Sequence, residues 1–360
     1  MTAGARQRRL LSRGDIPGSD GGIYNPGALA RGPVVVLLCR REIDYRFSPI
    51  VHAERILLDS ETLSVIGHGT LLRRGYPEAA RIEDFRCLDF DGATLCIHTL
   101  IQASGIRPTL SRFDERHIER VDALALPVCE APVEKNWVLF VHDGALHCLY
   151  RLDPLTVLRR EADAVWKLLL REENGWGDEF SGTLSNSCNL IAFMDGYLGF
   201  WHSIVAGRYV QGALLLGRDL RIRYRTGVLL DGQEVTTGYK PGVLYVSALL
   251  RLGRRVLAFY GEGDAHTSLA EFDAAELEAE LRRNPFRPAA PLRVRFAGAR
   301  MGELYRAMLA LRRLSQEHGE PPIRLYVADP GLAPAIAVFG VPKLALRRLA
   351  EATEFDHDLG

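Results

Sequence analysis

The sequence has no CxxC pair, no net charge of either sign and no long apolar run, and each absence removes a class of function. Six cysteines (Cys39, Cys87, Cys96, Cys129, Cys148, Cys188) are scattered, four of them inside apolar, strand-like runs. They read as reduced core residues of a cytoplasmic protein. The 45 basic and 45 acidic side chains cancel, so no whole-protein field favours nucleic acid or a membrane surface as partner. Residues 1–22 carry Arg6, Arg8, Arg9 and Arg13 among Gly and Ser, with no apolar stretch long enough for a signal peptide or a membrane span. That composition reads as a flexible tail. GxGxxG, P-loop and GxSxG motifs are missing, and the ten histidines show neither HExxH nor a paired metal spacing. Neither nucleotide-redox nor metal chemistry is expected, and no resident cofactor.

What is present is a repeat of strand, glycine turn, strand. The pairs Arg31-Gly32, Asp91-Gly92, Asp143-Gly144, Asp195-Gly196 and Leu252-Gly253 each read as a hairpin, and their glycines stand 60, 52, 52 and 57 residues apart. The runs that follow, Val34 to Leu38, Ala93 to Ile97, Ala145 to Leu149, Tyr197 to Trp201 and Val256 to Tyr260, are apolar and suit strands buried on both faces. A β-sandwich also strings short strands between glycine turns, but it gives no reason for five similar intervals. The expectation is an all-β fold, a five-bladed β-propeller over residues 23–272, with a small C-terminal α/β extension over 273–360. In that extension Ala274 to Arg283, Gly302 to His318 and Lys343 to Ala352 look helical, while Leu292 to Phe296 and Ile323 to Val327 look like strands.

Two polar sets repeat with the hairpins. Arg40, His98, Arg151, His202 and Tyr260 close the post-turn strands, and Asn25, Asp84, Lys135 and Asn186 lie in the strands that enter the hairpins, the fifth blade offering Tyr239 and Lys240 instead. Around one axis, both sets would meet in a central site. Each residue alone has a structural explanation, such as an ion pair or a hydrogen-bonded strand end. Together they supply a carboxylic acid (Asp84), partners for hydroxyls (Asn25, Lys135, Asp264) and groups for an anion (Arg40, Arg151, His202), the mixture that sugars and sugar phosphates need. Trp137 and Trp201 offer flat faces for a pyranose ring or, equally, for a core.

Several segments resemble glycoside hydrolase family 130, five-bladed propellers that include β-mannoside phosphorylases and β-mannosidases. They are Tyr24-Asn25-Pro26-Gly27, Glu83-Asp84-Phe85-Arg86, Glu134-Lys135-Asn136-Trp137, Ser181-Gly182-Thr183, Trp201-His202 and Tyr260-Gly261-Glu262-Gly263-Asp264. The resemblance covers roughly Ile23 to Phe272. It implies that Asp84 is the proton donor to the glycosidic oxygen, with Arg86 holding it, although Phe85 stands where the family has proline. It further implies that Asn25 and Asp264 bind the sugar, and that Lys135 and His202 face the anion or acceptor. With Arg40, Asn136 and Tyr260 these form the expected substrate-binding set, and Lys135, Arg151 and His202 the expected anion set. The phosphorylases place paired arginines near this point, where the present chain has Arg151 as counterpart.

The expected activity is an inverting, β-mannoside phosphorylase-like reaction on an oligosaccharide or mannose-containing small molecule, inorganic phosphate serving as co-substrate. A β-mannosyltransferase using a sugar nucleotide such as GDP-mannose, and a non-catalytic sugar- or protein-binding propeller, are the alternatives. Hydrolysis would need a second carboxylate about 6.5–9.5 Å from the acid. Glu262, Asp178 and Glu179 are the candidates by chemistry.

Overall fold

The computed structural model describes residues 4–45, 51–78, 80–103, 105–124, 126–128, 133–161, 165–180, 183–288, 292–298, 301–317, 323–332, 335–336, 344–348 and 357–358. They divide into two compact units, one built mainly from 1–286 and the other from 287–360 together with 152–155 and 171–184.

The first unit is a five-bladed β-propeller. It opens with β1 (Arg6–Leu11). Blade 1 is β2 (Gly22–Arg31), β3 (Val34–Glu42), β4 (His52–Asp59) and β5 (Val65–Thr70). Blade 2 comprises β6 (Leu72–Arg74), β7 (Arg81–Phe90), β8 (Ala93–Gln102), β9 (Gly105–Phe113) and β10 (His117–Ala123), and blade 3 comprises β11 (Val138–His142), β12 (Ala145–Leu152), β13 (Leu155–Arg160) and β14 (Trp166–Glu172). Blade 4 is built from β15 (Ser185–Asn186), β16 (Ile191–Phe193), β17 (Gly196–Val205), β18 (Arg208–Gly217), β19 (Ile222–Arg225) and β20 (Leu230–Asp231). Blade 5 joins β21 (Leu244–Leu252), β22 (Arg255–Glu262) and β23 (His266–Asp273) to β1 as its outer strand.

The turn chemistry explains the hairpins. Asp91-Gly92 and Asp143-Gly144 have positive φ at both central residues (50° and 71°, 47° and 73°), the type I′ pattern whose twist matches the flanking strands. Gly32 and Gly253 supply positive φ at the first central position, as a type II′ turn requires. The fourth hairpin turns one residue earlier than its Asp-Gly pair suggested. Phe193 pairs with Gly196, so Met194 and Asp195 form the turn, with Met194 at φ 49°. Gly196 is kept free of a side chain by packing, because a Cβ there would stand 2.2 Å from the Leu216 carbonyl oxygen.

Apolar side chains fill the spaces between blades. Leu37, Cys39, Ile56, Phe259 and Leu269 seal blade 5 to blade 1, and Leu38, Ile82, Phe85 and Cys96 seal blade 1 to blade 2. Cys39, Cys87, Cys96, Cys148 and Cys188 are buried free thiols whose pKa values burial pushes up, to about 12 for Cys188; Cys129 lies outside the described residues.

The flexible tail expected over 1–22 is corrected. Arg6 to Leu11 run antiparallel to β23, and Gly22 already opens β2. The run Arg-Gln-Arg-Arg carries no apolar signal because an outer strand needs only backbone pairing on one edge and solvent on its faces. The boundary expected at 272/273 also moves. The helix α1 (Ala274–Arg283), capped by Asp273 through the amides of Ala275 and Glu276, buries Leu277 and Leu281 against Phe200 and Phe272, and belongs to the propeller unit.

The second unit carries the parallel strands β24 (Leu292–Phe296), β25 (Ile323–Val327), β26 (Leu344–Arg348) and β27 (His357–Asp358), in the sheet order β26-β25-β24-β27. Its helix α2 (Met301–Glu317) places Leu304, Met308 and Leu311 in a core with Val294, Phe296 and Leu325. Within the stretch 343–352, where a helix was expected, 344–348 form a strand. A short apolar run satisfies either period, and pairing with β25 decides it.

Candidate active site

Three inner strands share a defect near their starts. The register slips between Tyr24 and Gly27 in β2, between Glu83 and Arg86 in β7 and between Val246 and Ala248 in β21. These are β-bulges, which leave a residue unpaired and re-aim its side chain. Asn25 (φ 49°) and Asp84 (φ 59°) sit in two of them in the left-handed conformation, and Asn136 (φ 64°) does so just before β11. Asn and Asp are the non-glycine residues that tolerate that region best.

The bulges bring the side chains into contact. Asn25 Nδ2 donates to Asp84 Oδ1 at 2.7 Å. Arg86, only 2% exposed, ties four blades together: Nη1 reaches the Asp84 carbonyl (3.1 Å), Nη2 the side chains of Asn136 (3.2 Å) and Tyr245, and Nε the Ser187 carbonyl (2.6 Å). Arg86 therefore holds the backbone of Asp84, while Asn25 holds its carboxylate. Among the described residues Arg86 forms no ion pair, and its charge meets carbonyl, amide and hydroxyl dipoles instead.

His202 lies beside this hub, 5% exposed and stacked on Tyr209 with centroids 5.6 Å apart. Gln211 Nε2 donates to the Leu244 carbonyl, which turns Gln211 Oε1 toward Ser187 Oγ. Ser187 gives its proton to that oxygen, so the His202 Nδ1 at 2.9 Å is the donor to Ser187. Burial, with the charges of Arg86 and Lys135, pulls the imidazole down to about 3, so it is neutral at pH 7 and acts by hydrogen bonding rather than as a cation.

Asp264 (φ 53°) follows the end of β22. Its Oδ2 accepts from Lys240 Nζ at 2.5 Å and from the Tyr45 hydroxyl at 3.3 Å, and Tyr45 stacks on Tyr239 at 4.1 Å. Burial pulls Lys240 down more than any one contact raises it, but the hydrogen bond to Asp264, the Asp264 charge and Tyr45 together outweigh this and the net direction is up. Tyr209 is raised by burial and then by the charge of Asp264, with a smaller contribution from Asp84.

The structure thus gathers Asn25, Asp84, Arg86, Asn136, His202 and Asp264. Lys135 is exposed, with its charge felt at His202. Arg151 is also exposed, its guanidinium 5.0 Å from the Tyr150 ring centroid. Arg40 is committed to protein carboxylates, Glu42 and Glu83, in a buried network completed by Arg81.

Several expected residues do something else. Tyr260 donates to Gln7 Oε1 at 3.0 Å and packs in the apolar cluster of blades 4 and 5. Side chains alternate along a strand, so its neighbour Gly261 faces Asn25 instead, where a Cβ would stand 1.9 Å from Asn25 Oδ1. Glu262 is bound by Arg9 and by Ser268 Oγ (2.8 Å), and lies on the β1 side. Glu179 lies exposed in the second unit, and the side chain of Asp178 is outside the described set. Trp137 and Trp201, each 1% exposed, are core residues. His98 is buried between Tyr76 and Ser111, and Asn186 fastens onto the carbonyls of Leu149 and Tyr150. Sequence reasoning missed Tyr45, Ser187, Tyr209, Gln211 and Tyr245. Ser187, one residue beyond the chosen Asn186, was within reach of a stricter alignment of the repeats; the tyrosines carry no motif.

No family model matches the sequence, and no curated protein matches it. Solved structures do resemble it in fold. The β-1,2-mannobiose phosphorylase of Listeria innocua superposes with a TM-score of 0.61 at 16% identity, over 78% of this chain and 100% of its own. A glycoside hydrolase, described as putative, from Parabacteroides distasonis gives 0.58 at 13% identity over 76% of this chain and 97% of its own. A structure described under the family 130 mannoside phosphorylases and the hydrolases that target β-1,2-mannosidic linkages in Candida mannan gives 0.54 at 11%, over 76% and 94%. The shared feature is the five-bladed propeller.

Proposed function

We propose that this chain makes and breaks β-mannosidic bonds in an inverting, phosphorylase-like reaction with Asp84 as general acid. The observation that carries this reading is the Asp84 carboxyl, set on a left-handed bulge at the propeller centre and aimed by Asn25 at 2.7 Å. The fold shared with a β-1,2-mannobiose phosphorylase supports the substrate class.

In the forward direction protonated Asp84 gives its proton to the glycosidic oxygen as the bond from that oxygen to C1 breaks. A phosphate oxygen attacks C1 from the opposite face, giving α-mannose 1-phosphate and the released sugar. The buried Arg86 charge and exposed Lys135 create a centre that favours an anion, and neutral His202, whose Nδ1 proton goes to Ser187, can accept at Nε2 from a protonated phosphate oxygen. Asp264 and Lys240 are placed for sugar hydroxyls. Glu262 is held by Arg9, which removes it as the base that water would need.

The test incubates wild type and Asp84→Asn with β-1,2-mannobiose with and without inorganic phosphate, with α-mannose 1-phosphate plus mannose, and with GDP-mannose, following products by mass. Phosphate-dependent cleavage should fall about 10²–10⁴-fold in the variant. Product from GDP-mannose alone would make the chain a mannosyltransferase, and binding without turnover would make it a sugar-binding module.

A further inference from the structure

A second feature lies at the other end of blades 1 and 2. The bulges at Asn25 and Asp84 are near the starts of β2 and β7. Near the ends of those strands the two sheets part into a groove of about 660 Å³. That size suits a small ligand. One wall is apolar, formed by Leu29, Val34, Val36 and Leu57, with Phe113 facing it from blade 2.

Four arginines border the groove, and they fall into two kinds. Arg31 is paired in bidentate fashion with Asp89, at 2.7 and 2.6 Å, and Arg112 is paired with Glu119 at 2.7 Å. Arg55 and Arg74 have no carboxylate partner among the described residues. Arg55 Nε is buried and has no hydrogen-bond partner among the described residues. Arg74 Nη2 meets only the His117 Nε2, at 2.8 Å. His117 Nδ1 stands 3.5 Å from Asp114 Oδ1, so the ring is oriented with its acceptor nitrogen toward Arg74. Glu115 is exposed in the groove lining and makes no ion pair among the described residues.

A guanidinium half-removed from water with an unmet donor is costly unless an anion arrives. Arg55 is that case, while Arg74 is exposed; together the two forks offer more donors than the two oxygens of a carboxylate can use, and suit the three free oxygens of a phosphate monoester. The adjoining wall would take a hydrocarbon rather than a hydroxylated group. We propose that this groove is a second binding site, for a phosphate monoester carried on a short apolar body, with Arg55 and Arg74 holding the phosphate.

Isothermal titration of the full chain with octyl phosphate, below its aggregation threshold, tests this. Wild type and Asp84→Asn should bind one equivalent with the same affinity, and Arg55→Gln and Arg74→Gln should each weaken it about tenfold or more, one bidentate contact's worth. Thermal melts of both arginine variants check that the fold is kept, and having two variants means that one misfolded protein does not decide the matter. Inorganic phosphate and octyl β-glucoside, carrying head and tail separately, should each bind at least about tenfold more weakly than octyl phosphate. No binding, or equal binding by both arginine variants, would overturn the site. Octanoate or octyl β-glucoside binding as tightly as octyl phosphate would overturn its reading of phosphate.

Discussion

Asn25 is held at a cost. It adopts φ 49°, and its Oδ1 is buried against Gly261 without a hydrogen-bond partner, a loss of about 1–3 kcal/mol for an unmet acceptor. Such a position persists when surroundings over-determine it, and what it secures is the direction of the Asp84 carboxyl. Gly261 is the residue that lets Asn25 stand there. Gly261→Ala would drive a methyl into Oδ1 and displace Asn25. The expected result is a loss of about 1–3 kcal/mol in stability from overpacking and, with Asp84 as the proposed acid, a fall of up to about 10²-fold in kcat from its misplacement. Thermal melts and steady-state kinetics read the two effects separately. Unchanged kinetics would mean that Asn25 does not aim Asp84. At this scale the sequence pointed to Asp84, Asn25 and Asp264 through their motif neighbours, and the structure brings Asn25 onto Asp84. It misled at Tyr260, because a motif shows a residue's presence and not which face of the strand it occupies.

Elements were legible where local chemistry fixes them. The Asp-Gly turns at 91–92 and 143–144 need positive φ at two successive residues, and few dipeptides supply that. β1 and α1 were misassigned for the opposite reason, since their places depend on partners far along the chain. β1 pairs with β23, some 260 residues away, so Arg6 faces Glu271. This closes the ring by joining the first strand to the last blade, and it also covers an edge that would otherwise be open to association. α1 reads as the start of a separate segment, yet Leu277, fully buried, lies among residues of blades 4 and 5. Leu277→Ala should therefore lower the stability of the propeller itself by about 2–5 kcal/mol, measured by urea unfolding followed through tryptophan fluorescence. A loss confined to a separate, earlier transition would return α1 to the C-terminal segment.

At the scale of the whole molecule, buried neutral histidines set an acid limit. Burial holds His98 at about 4 and His202 at about 3, against about 6.5 in an unfolded chain. His52, His147 and His266 are shifted the same way. Below pH 6.5 the unfolded chain binds protons that the folded one refuses, so this stability is complete above pH 6.5 and is lost as the pH falls toward 4. Two such rings give a slope of up to roughly 2–3 kcal/mol per pH unit. Urea titrations should show a nearly flat unfolding free energy from pH 7 to 8 and a steep decline from 6 to 4.5. A flat profile down to pH 5 would mean that these rings accept protons in place.

The sequence by itself determined the five-fold repeat, the Asp-Gly turns at 91–92 and 143–144 and the buried thiols, and it picked out Asp84 and Asn25 as a pair, because strand alternation and turn geometry are local and repeat with the chain. Only the tertiary structure decided that Arg86 joins four blades, that Arg40 is consumed by Glu42 and Glu83, that His202 is neutral, and that Tyr45, Tyr209 and Tyr245 surround the centre. These are matters of closure. Residues tens to hundreds of positions apart meet only when the blades come round to one axis, and burial there sets a charge state that no local pattern encodes.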